Sequence, residues 1–261
     1  MPDTSSNPQS RDGVAWNPTE LADNPHQSTE KAGKVRSMFA SISGSYDLNN
    51  RLHSFGLDQS WRRRTVALAG VRDGDAVLDM ACGTGDLTEA FLRTGATEVI
   101  GGDFTPEMLD QARRKAARLP EGARPVYEHA DAMNLEYDDQ RFDVVTIAFG
   151  IRNVTDPAAA IREFARVLRP GGRLVILEFA EPRNPFIRWG NRFYTMRVMP
   201  WTASMVARDG SGAYRYLPRS IETFLDPEQL AELMRGAGLV VQRQVPLTFG
   251  VCVASLGVRE S

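Results

Sequence analysis

Apolar positions change their period along this chain, and the changes mark out its elements. From Lys34 onward, Val35, Met38, Phe39 and Ile42 recur at helical spacing, and a second amphipathic stretch covers residues 59–68. Two helices are expected there. Short β-type runs follow: AVLDMA at 76–81, EVIGGDF at 98–104, VYEHA at 126–130, FDVVTIAFG at 142–150 and RLVILEF at 173–179, with helical segments between them. Helix starts are chemically explicit at Thr105 before Pro106, Asp156 before Pro157, and Asp226 before Pro227 with Gln229 three residues after the cap. This alternation predicts a parallel sheet with crossover helices. The last runs, LVVQRQVPL at 239–247 and GVCVASLGV at 250–258, are joined by too few residues for a helix and must pair antiparallel. The expected fold class is therefore α/β, a mostly parallel sheet ending in an antiparallel hairpin.

Residues 1–33 are rich in Ser, Pro, Asn, Gln and Thr and poor in large aliphatics, so a disordered tail is expected. Residues 34–261 are expected to form one domain, with N-terminal helices over 34–70. An aromatic, basic, Pro-punctuated insert at 181–225 interrupts the alternation and is expected to cover the functional edge of the sheet.

Composition removes several classes of function. The 261 residues carry 31 basic and 33 acidic side chains, which gives no global attraction to nucleic acid. No apolar run approaches the ~20 residues that span a bilayer, and residues 1–33 lack a signal-peptide core. Asp3, Asp12, Glu20, Asp23 and Glu30 argue against an organellar targeting helix, so a cytoplasmic address is expected. Cys82 and Cys252 supply neither a disulfide framework nor metal-ligand spacing, and no metal is expected.

Candidate chemistry gathers at the carboxyl ends of the strands, where such sheets bind ligands. Asp79, Asp103, Asp131 and FGIRN at 149–153 all fall there. Gly83 and Gly85 let backbone approach a ligand, and Asp86 is placed to cap the next helix with Glu89 at N3. A dinucleotide turn would want a third glycine where Thr88 stands, and a P-loop would want Gly-Lys-Ser/Thr after the turn. Neither pattern is present. A cationic ligand with an amino-acid tail and a ribose suits Asp79 near the positive charge, glycine amides near the carboxylate, and Asp103 accepting the ribose hydroxyls. S-adenosyl-L-methionine has those parts. The plainer alternative is that Asp79 and Asp103 only cap turns.

These stretches resemble the UbiE/MenG-type ubiquinone/menaquinone biosynthesis C-methyltransferases over roughly residues 34–259. The matching segments are MFASISGSYDLNN, SFGLDQSW, LDMACGTGDLT, FGIRNVTD, RVLRPGGRLVILEF and YRYLPRSIETF. The resemblance implies a Rossmann-like class I methyltransferase with a seven-stranded sheet and helices on both faces. It also implies methyl transfer from S-adenosyl-L-methionine to a ring carbon of a reduced prenylated quinone. It departs from the family pattern at Asn49, Asp58, Ala148 and Ala180, where relatives usually carry Met, His, Ser and Ser. Ala148 removes a hydroxyl that lies beside the cofactor in relatives.

Carried over by position, the resemblance places Asp79, Gly83, Thr84 and Gly85 around the methionine end of the cofactor and Asp103 on its ribose. Phe104, Asp131 and the amide of Ala132 would surround the adenine. For Phe104 a core role in the second strand is an equal alternative. Arg152 and Asn153 match a pair thought to order a water and stabilise the phenolate. Arginine stays protonated, so its part is electrostatic. Asp47 joins the catalytic candidates, and Tyr46, Tyr194 and Tyr214 the acceptor-pocket candidates; each equally suits a packing role.

A prenylated substrate demands an opening toward a membrane or a membrane-bound quinone-synthesis complex. The insert mixes Trp189, Phe193, Tyr194, Met196, Met199 and Trp201 with Arg188, Arg192 and Arg197, as an interfacial helix does. A core helix with snorkelling arginines has the same composition. Three further readings share the cofactor half: a methyltransferase of another small molecule, a nucleic-acid methyltransferase, and a non-catalytic cofactor-binding subunit.

Overall fold

The computed structural model describes residues 15–17, 20–198 and 212–260, except the side chain of Tyr214. Its centre is a sheet of β1 (Ala76–Met80), β2 (Glu98–Asp103), β3 (Val126–His129), β4 (Phe142–Ala148), β5 (Leu168–Phe179), β6 (Leu239–Leu247) and β7 (Cys252–Arg259). The spatial order is β3-β2-β1-β4-β5-β7-β6. The first five strands pair parallel, and β7 lies antiparallel between β5 and β6. This is the seven-stranded sheet with a terminal antiparallel pair that the pattern predicts.

Both faces of the sheet are covered, which is why its central strands read as continuous apolar runs rather than alternating ones. Every residue of β1 is buried. Side chains still alternate by face. Leu78 joins Met80, Ile147, Phe164 and Leu174 in one cluster, while Val77 joins Phe91, Val144, Val175 and Trp61 in another. The strand order reverses between β1 and β4, so the crevice beyond their carboxyl ends is the natural ligand site.

The crossover helices begin close to the expected residues. They are α4 (Asp86–Phe91), α5 (Pro106–Ala116) and α6 (Pro157–Val167), while α9 (Pro227–Gly236) precedes the hairpin. Asp156 accepts from the amide of Ala159, and Asp226 completes a capping box with Gln229. Thr105 occupies the cap of α5 without a side-chain bond. The expected cap at Asp86 is corrected: Gly85, at φ 87°, is the cap, and Asp86 is the first helical residue. Its carboxylate is drawn away by cations on other helices.

Three helices precede the glycine turn instead of two: α1 (Lys31–Ile42), α2 (Tyr46–His53) and α3 (Leu57–Ala69). The sequence YDLNNRLH hides α2 because its burial is inverted. Leu48 and Leu52 are 62% and 45% exposed, while Asn49 is buried.

The expectation of a disordered tail through residue 33 is also corrected. Trp16 is fully buried, and Leu21, Met38, Ala213 and Tyr216 complete its cluster. One tryptophan outweighs the polar average around it, since burying such a ring stabilises the chain by several kcal/mol. After β5 the insert forms α7 (Pro185–Phe193), capped by Asn184, a π-helical turn at Tyr194–Val198, and α8 (Ala213–Glu222). Met199 and Trp201 lie outside the described residues.

Candidate functional site

Two chambers open at the carboxyl edge of the sheet, of about 130 and about 270 Å³. Phe39, Tyr46 and Phe149 line both, so they form the wall between them. The first chamber lies over β1, β2 and the loop after β3; the second lies between α2, α3, α7 and α8.

Asp103 lines the first chamber and accepts the amides of Gly83 and Thr105, each at 2.8 Å. Burial raises its pKa, and the two amides oppose that rise. Gly83 takes the left-handed conformation at φ 56°, which aims its amide at Asp103 without steric cost. Phe104 is half-exposed along the chamber wall. Asp131 accepts the amide of Met133 at 2.9 Å, and Asp131 and Ala132 both line the chamber. Gly83, Asp103, Phe104, Asp131 and Ala132 are therefore brought together as expected.

Asp79, Thr84 and Gly85 are not among the residues lining this chamber. Asp79 is buried behind it, accepting the hydroxyls of Thr88 at 2.7 Å and Thr146 at 2.8 Å. Burial pushes its carboxyl up to about 6. Gly85 is required by packing, because a β-carbon there would meet the Tyr127 hydroxyl at 2.0 Å. Thr84 donates its hydroxyl to Asp47.

Asp47 lines neither chamber. Its other carboxylate oxygen accepts from Lys115 at 2.8 Å, and Lys115 also pairs with Asp86. Gln59 donates to Asp86 at 3.0 Å, and Arg51 lies 3.4 Å from it. Helices α2 and α3 are thus tied to α4 and α5 around the glycine turn. Burial works against the charge of Asp86, but the Lys115 hydrogen bond and charge prevail and lower its pKa. Lys115 carries no local sign of this role, since Asp47 lies 68 positions away.

The FGIRN segment bridges the chambers. Phe149 sits at φ 58°, a left-handed conformation that costs a β-carbon-bearing residue about 1–2 kcal/mol. Gly150 leaves no room for a side chain, because its β-carbon would lie 2.4 Å from that of Ala81. Arg152 is buried and donates to Glu178 at 2.6 Å and to the Phe149 carbonyl at 2.7 Å. Its Nε has no hydrogen-bond partner among the described residues. Arg152 lines the second chamber and Asn153 the first. Asn153 donates to the Phe149 carbonyl at 3.2 Å and accepts the Tyr216 hydroxyl at 2.9 Å.

The second chamber is walled mainly by Met38, Ile42, Leu57, Trp61, Phe179 and Leu217. Tyr46 and Tyr194 line it, the latter donating to the His53 carbonyl at 2.9 Å; the side chain of Tyr214 lies outside the described residues. Asn49 and Asp58, two departures from the family pattern, are buried there. Asp58 accepts from Ser54 at 2.9 Å and Gln59 at 3.0 Å. Asn49 donates to the Ser45 hydroxyl at 3.1 Å, while its own Oδ1 is buried without a partner among the described residues.

Residues 27–259 match the ubiE/COQ5 methyltransferase family. The chain belongs to that family. It is 46% identical over 223 residues to the demethylmenaquinone methyltransferase of Thermus thermophilus, covering 85% of this chain and 100% of that one. It is 42% identical over 233 residues to the ubiquinone/menaquinone biosynthesis C-methyltransferase UbiE of Hahella chejuensis, covering 88% and 93%. Among solved structures, a Haloferax volcanii methyltransferase in complex with the Trm112 activator aligns at a TM-score of 0.62, with 20% identity over 85% of this chain and 98% of that one. The magnesium protoporphyrin IX methyltransferase of Synechocystis, solved with bound SAH, aligns at 0.55 with 19% identity over 78% and 84%. These likenesses support the class I methyltransferase fold.

S-adenosyl-L-methionine is the cofactor of this methyltransferase, and the first chamber fits it. A buried carboxylate with unspent lone pairs at Asp103 suits a ribose diol. The exposed face of Phe104, with Met108 and Ala132 nearby, suits a purine. When bound, the cofactor supplies an electrophilic methyl group on a sulfonium. Among the described residues no cluster of His, Cys, Asp or Glu is arranged to hold a metal ion.

Proposed function

We propose that this methyltransferase transfers the methyl group to a ring carbon of a demethylated prenyl quinol in menaquinone or ubiquinone biosynthesis. The candidate acceptors are 2-demethylmenaquinol and 2-methoxy-6-polyprenyl-1,4-benzoquinol. The observation that carries this reading is the second chamber: largely apolar, with Asn49 and Arg152 in its wall and one polar atom of each, Oδ1 and Nε, buried without a partner among the described residues. A buried polar atom left unpaired costs about 1–3 kcal/mol, which a small rotation of either side chain toward a ligand's hydroxyl or oxide would relieve. A 1,4-quinol offers both groups on an apolar ring. An oxidised quinone offers only acceptors and leaves Asn49 unserved.

In this reading Phe39, Tyr46 and Phe149 align the ring against the first chamber, and exclusion of water strengthens every charge interaction within. Arg152 orients the ring oxygen, Asn153 braces the Phe149 carbonyl from the cofactor side, and Asp47 acts by holding the helical cover through Lys115 and Thr84. Gly83, Asp103, Phe104, Asp131 and Ala132 would hold the cofactor, with Asp79, Thr84 and Gly85 supporting the glycine turn from behind and Tyr46, Tyr194 and Tyr214 around the acceptor. The catalytic domain, expected over 34–261, would extend back to include the segment packed at Trp16, with 34–70 as lid. The test is turnover of a short-chain demethylated quinone with labelled S-adenosyl-L-methionine, with and without dithionite. Label entering at carbon, only under reduction, is expected. Equal turnover of the oxidised form, or an O-methyl ether product, would overturn the reading.

The chain would act in the cytoplasm against an anionic bilayer surface. No helix among the described residues is long and apolar enough to cross a membrane. Helix α7 and its π turn carry Phe186, Trp189, Phe193 and Met196 at spacings of three and four, the first two 86% and 73% exposed. Arg188, Arg192 and Arg197 lie among them, and Tyr194 links the stripe to the mouth of the second chamber. Flotation with vesicles of anionic but not neutral lipid, reduced in Trp189→Ser, tests this. Equal flotation of variant and parent would reject the surface.

A further inference from the structure

Arg62 projects from α3 into the second chamber and is 8% exposed. Its guanidinium lies 5.8 Å from the centroid of the Phe149 ring, the wall between the chambers. It has no salt bridge among the described residues, and its Nε is buried without a hydrogen-bond partner. The carboxylates that could have matched it are occupied elsewhere. Asp58, one helical turn back, accepts from Ser54 and Gln59; Asp86 is held by Lys115, and Asp79 by Thr88 and Thr146. Asp79 and Asp86 feel its field without pairing to it. The other cation of the chamber, Arg152, is matched by Glu178 at 2.6 Å.

A buried guanidinium lacking a counter-ion is expensive, and a fold retains one most readily where an anion arrives. The chamber is largely apolar and Arg62 lies beside its aromatic wall of Trp61, Phe149 and Phe179, which suits an anion whose charge is carried on a ring. We propose that Arg62 is the cationic contact for an aryl oxide, the ionised ring oxygen of the acceptor. Arg152, its charge already balanced, then serves as a hydrogen-bond donor and a brace for the Phe149 segment. This assignment rests on the reading of the second chamber as the acceptor site. It divides between two arginines the electrostatic role that the sequence resemblance gives to Arg152 alone. Weakly hydrated and planar, a guanidinium under a ring suits an oxide whose charge is spread into that ring.

The experiment titrates 4-nitro-1-naphthol, whose ionised form is coloured, bound to the full chain with S-adenosylhomocysteine present. The parent should lower the bound phenol's ionisation by one pH unit or more, a tenfold or greater preference for the oxide. Arg62→Gln should abolish that shift, Arg62→Lys should keep part of it, and cofactor affinity should change less than twofold in both. Thermal melts check folding, and Arg62→Met gives a third variant should the glutamine fail to fold. A shift that persists in Arg62→Gln, or a parent that binds no naphthol, would overturn the assignment. Failure of methyl transfer to a quinol with the naphthol shift intact would instead sink the proposed reaction alone.

Discussion

The hydroxyl of Tyr216 donates to the side-chain oxygen of Asn153 at 2.9 Å, across 63 positions of sequence. Trp16 stacks on the same ring, with centroids 4.9 Å apart and planes inclined by 20°, and Lys34 lies over Trp16 at 5.5 Å. A residue near the start of the chain thus braces one that lines the first chamber. Burial pushes the Tyr216 phenol up to about 12, so it remains a neutral donor at any working pH. Trp16→Ala should cost about 3–5 kcal/mol in urea unfolding, and it should raise KM for the methyl donor by loosening Asn153. Tyr216→Phe should cost about 1 kcal/mol while leaving the stack in place. A Trp16→Ala protein with the parent's unfolding midpoint would show that the segment contributes nothing.

Lys115 separates binding from chemistry. It joins Asp47 of α2 to Asp86 of α4, and these groups are partly buried. Its pKa is raised: burial opposes the charge, but both carboxylates favour it more strongly. Partly solvated ion pairs contribute little to global stability, so Lys115→Met should lower the melting temperature by only a few degrees. Its effect should fall on the helical cover, with KM for S-adenosyl-L-methionine rising several-fold and kcat changing less. Steady-state kinetics decide it, and a fall in kcat at unchanged KM would reject the cover role.

The strands and the cap chemistry were legible because they are local. AVLDM, EVIGGD and LVVQRQVPL announce themselves by apolar runs, and Asp226 with Gln229 by spacing. What escaped depends on partners distant in sequence. Trp16 is the sole large aromatic in a polar stretch of sequence, and its partner Tyr216 lies 200 positions away. Helix α2 shows its leucines to solvent and buries an asparagine, the reverse of the pattern that identifies a helix. Lys115 and Arg62 were ordinary basic residues on helices, and only packing distinguishes a paired cation from an unpaired one. Asp103 and Asp131 line the first chamber because strand ends are fixed by topology, whereas Asp79, at an equally prominent strand end, turns its carboxylate to two threonines.

Asn49 stands where the resemblance expects methionine, and it adds an acceptor to the second chamber. The Ser45 hydroxyl donates to the Ile42 carbonyl at 3.3 Å, so it receives the amide hydrogen of Asn49 and leaves Oδ1 as the unpaired atom. Asn49→Met should preserve methyl transfer while reducing discrimination between reduced and oxidised ring. Competitive inhibition by a short-chain quinone measures this, with the inhibition constant expected to fall several-fold in the variant. An unchanged constant would remove Asn49 from substrate selection.

Asp79 provides a pH dependence whose sign follows from burial. Burial raises its carboxyl from the usual 3.8 to about 6, with the hydroxyls of Thr88 and Thr146 and the charge of Arg62 opposing the rise. Between those values the folded protein holds a proton that the unfolded chain has released. This residue's contribution to stability is therefore fully present below 3.8, is lost as pH rises toward 6, and stays constant above it. The loss is on the order of 3 kcal/mol, at 1.36 kcal/mol per pH unit. Asp79→Asn keeps an acceptor for one threonine hydroxyl, offers an amide donor to the oxygen of the other, and has nothing to titrate. Its unfolding free energy should gain on the parent's from pH 4 to 6, and the gap should then hold to pH 8. The same change removes a negative charge behind the glycine turn, so affinity for the cationic cofactor should fall about tenfold as stability rises. Parallel stability curves for the two proteins would show that Asp79 is not held out of its ordinary ionisation.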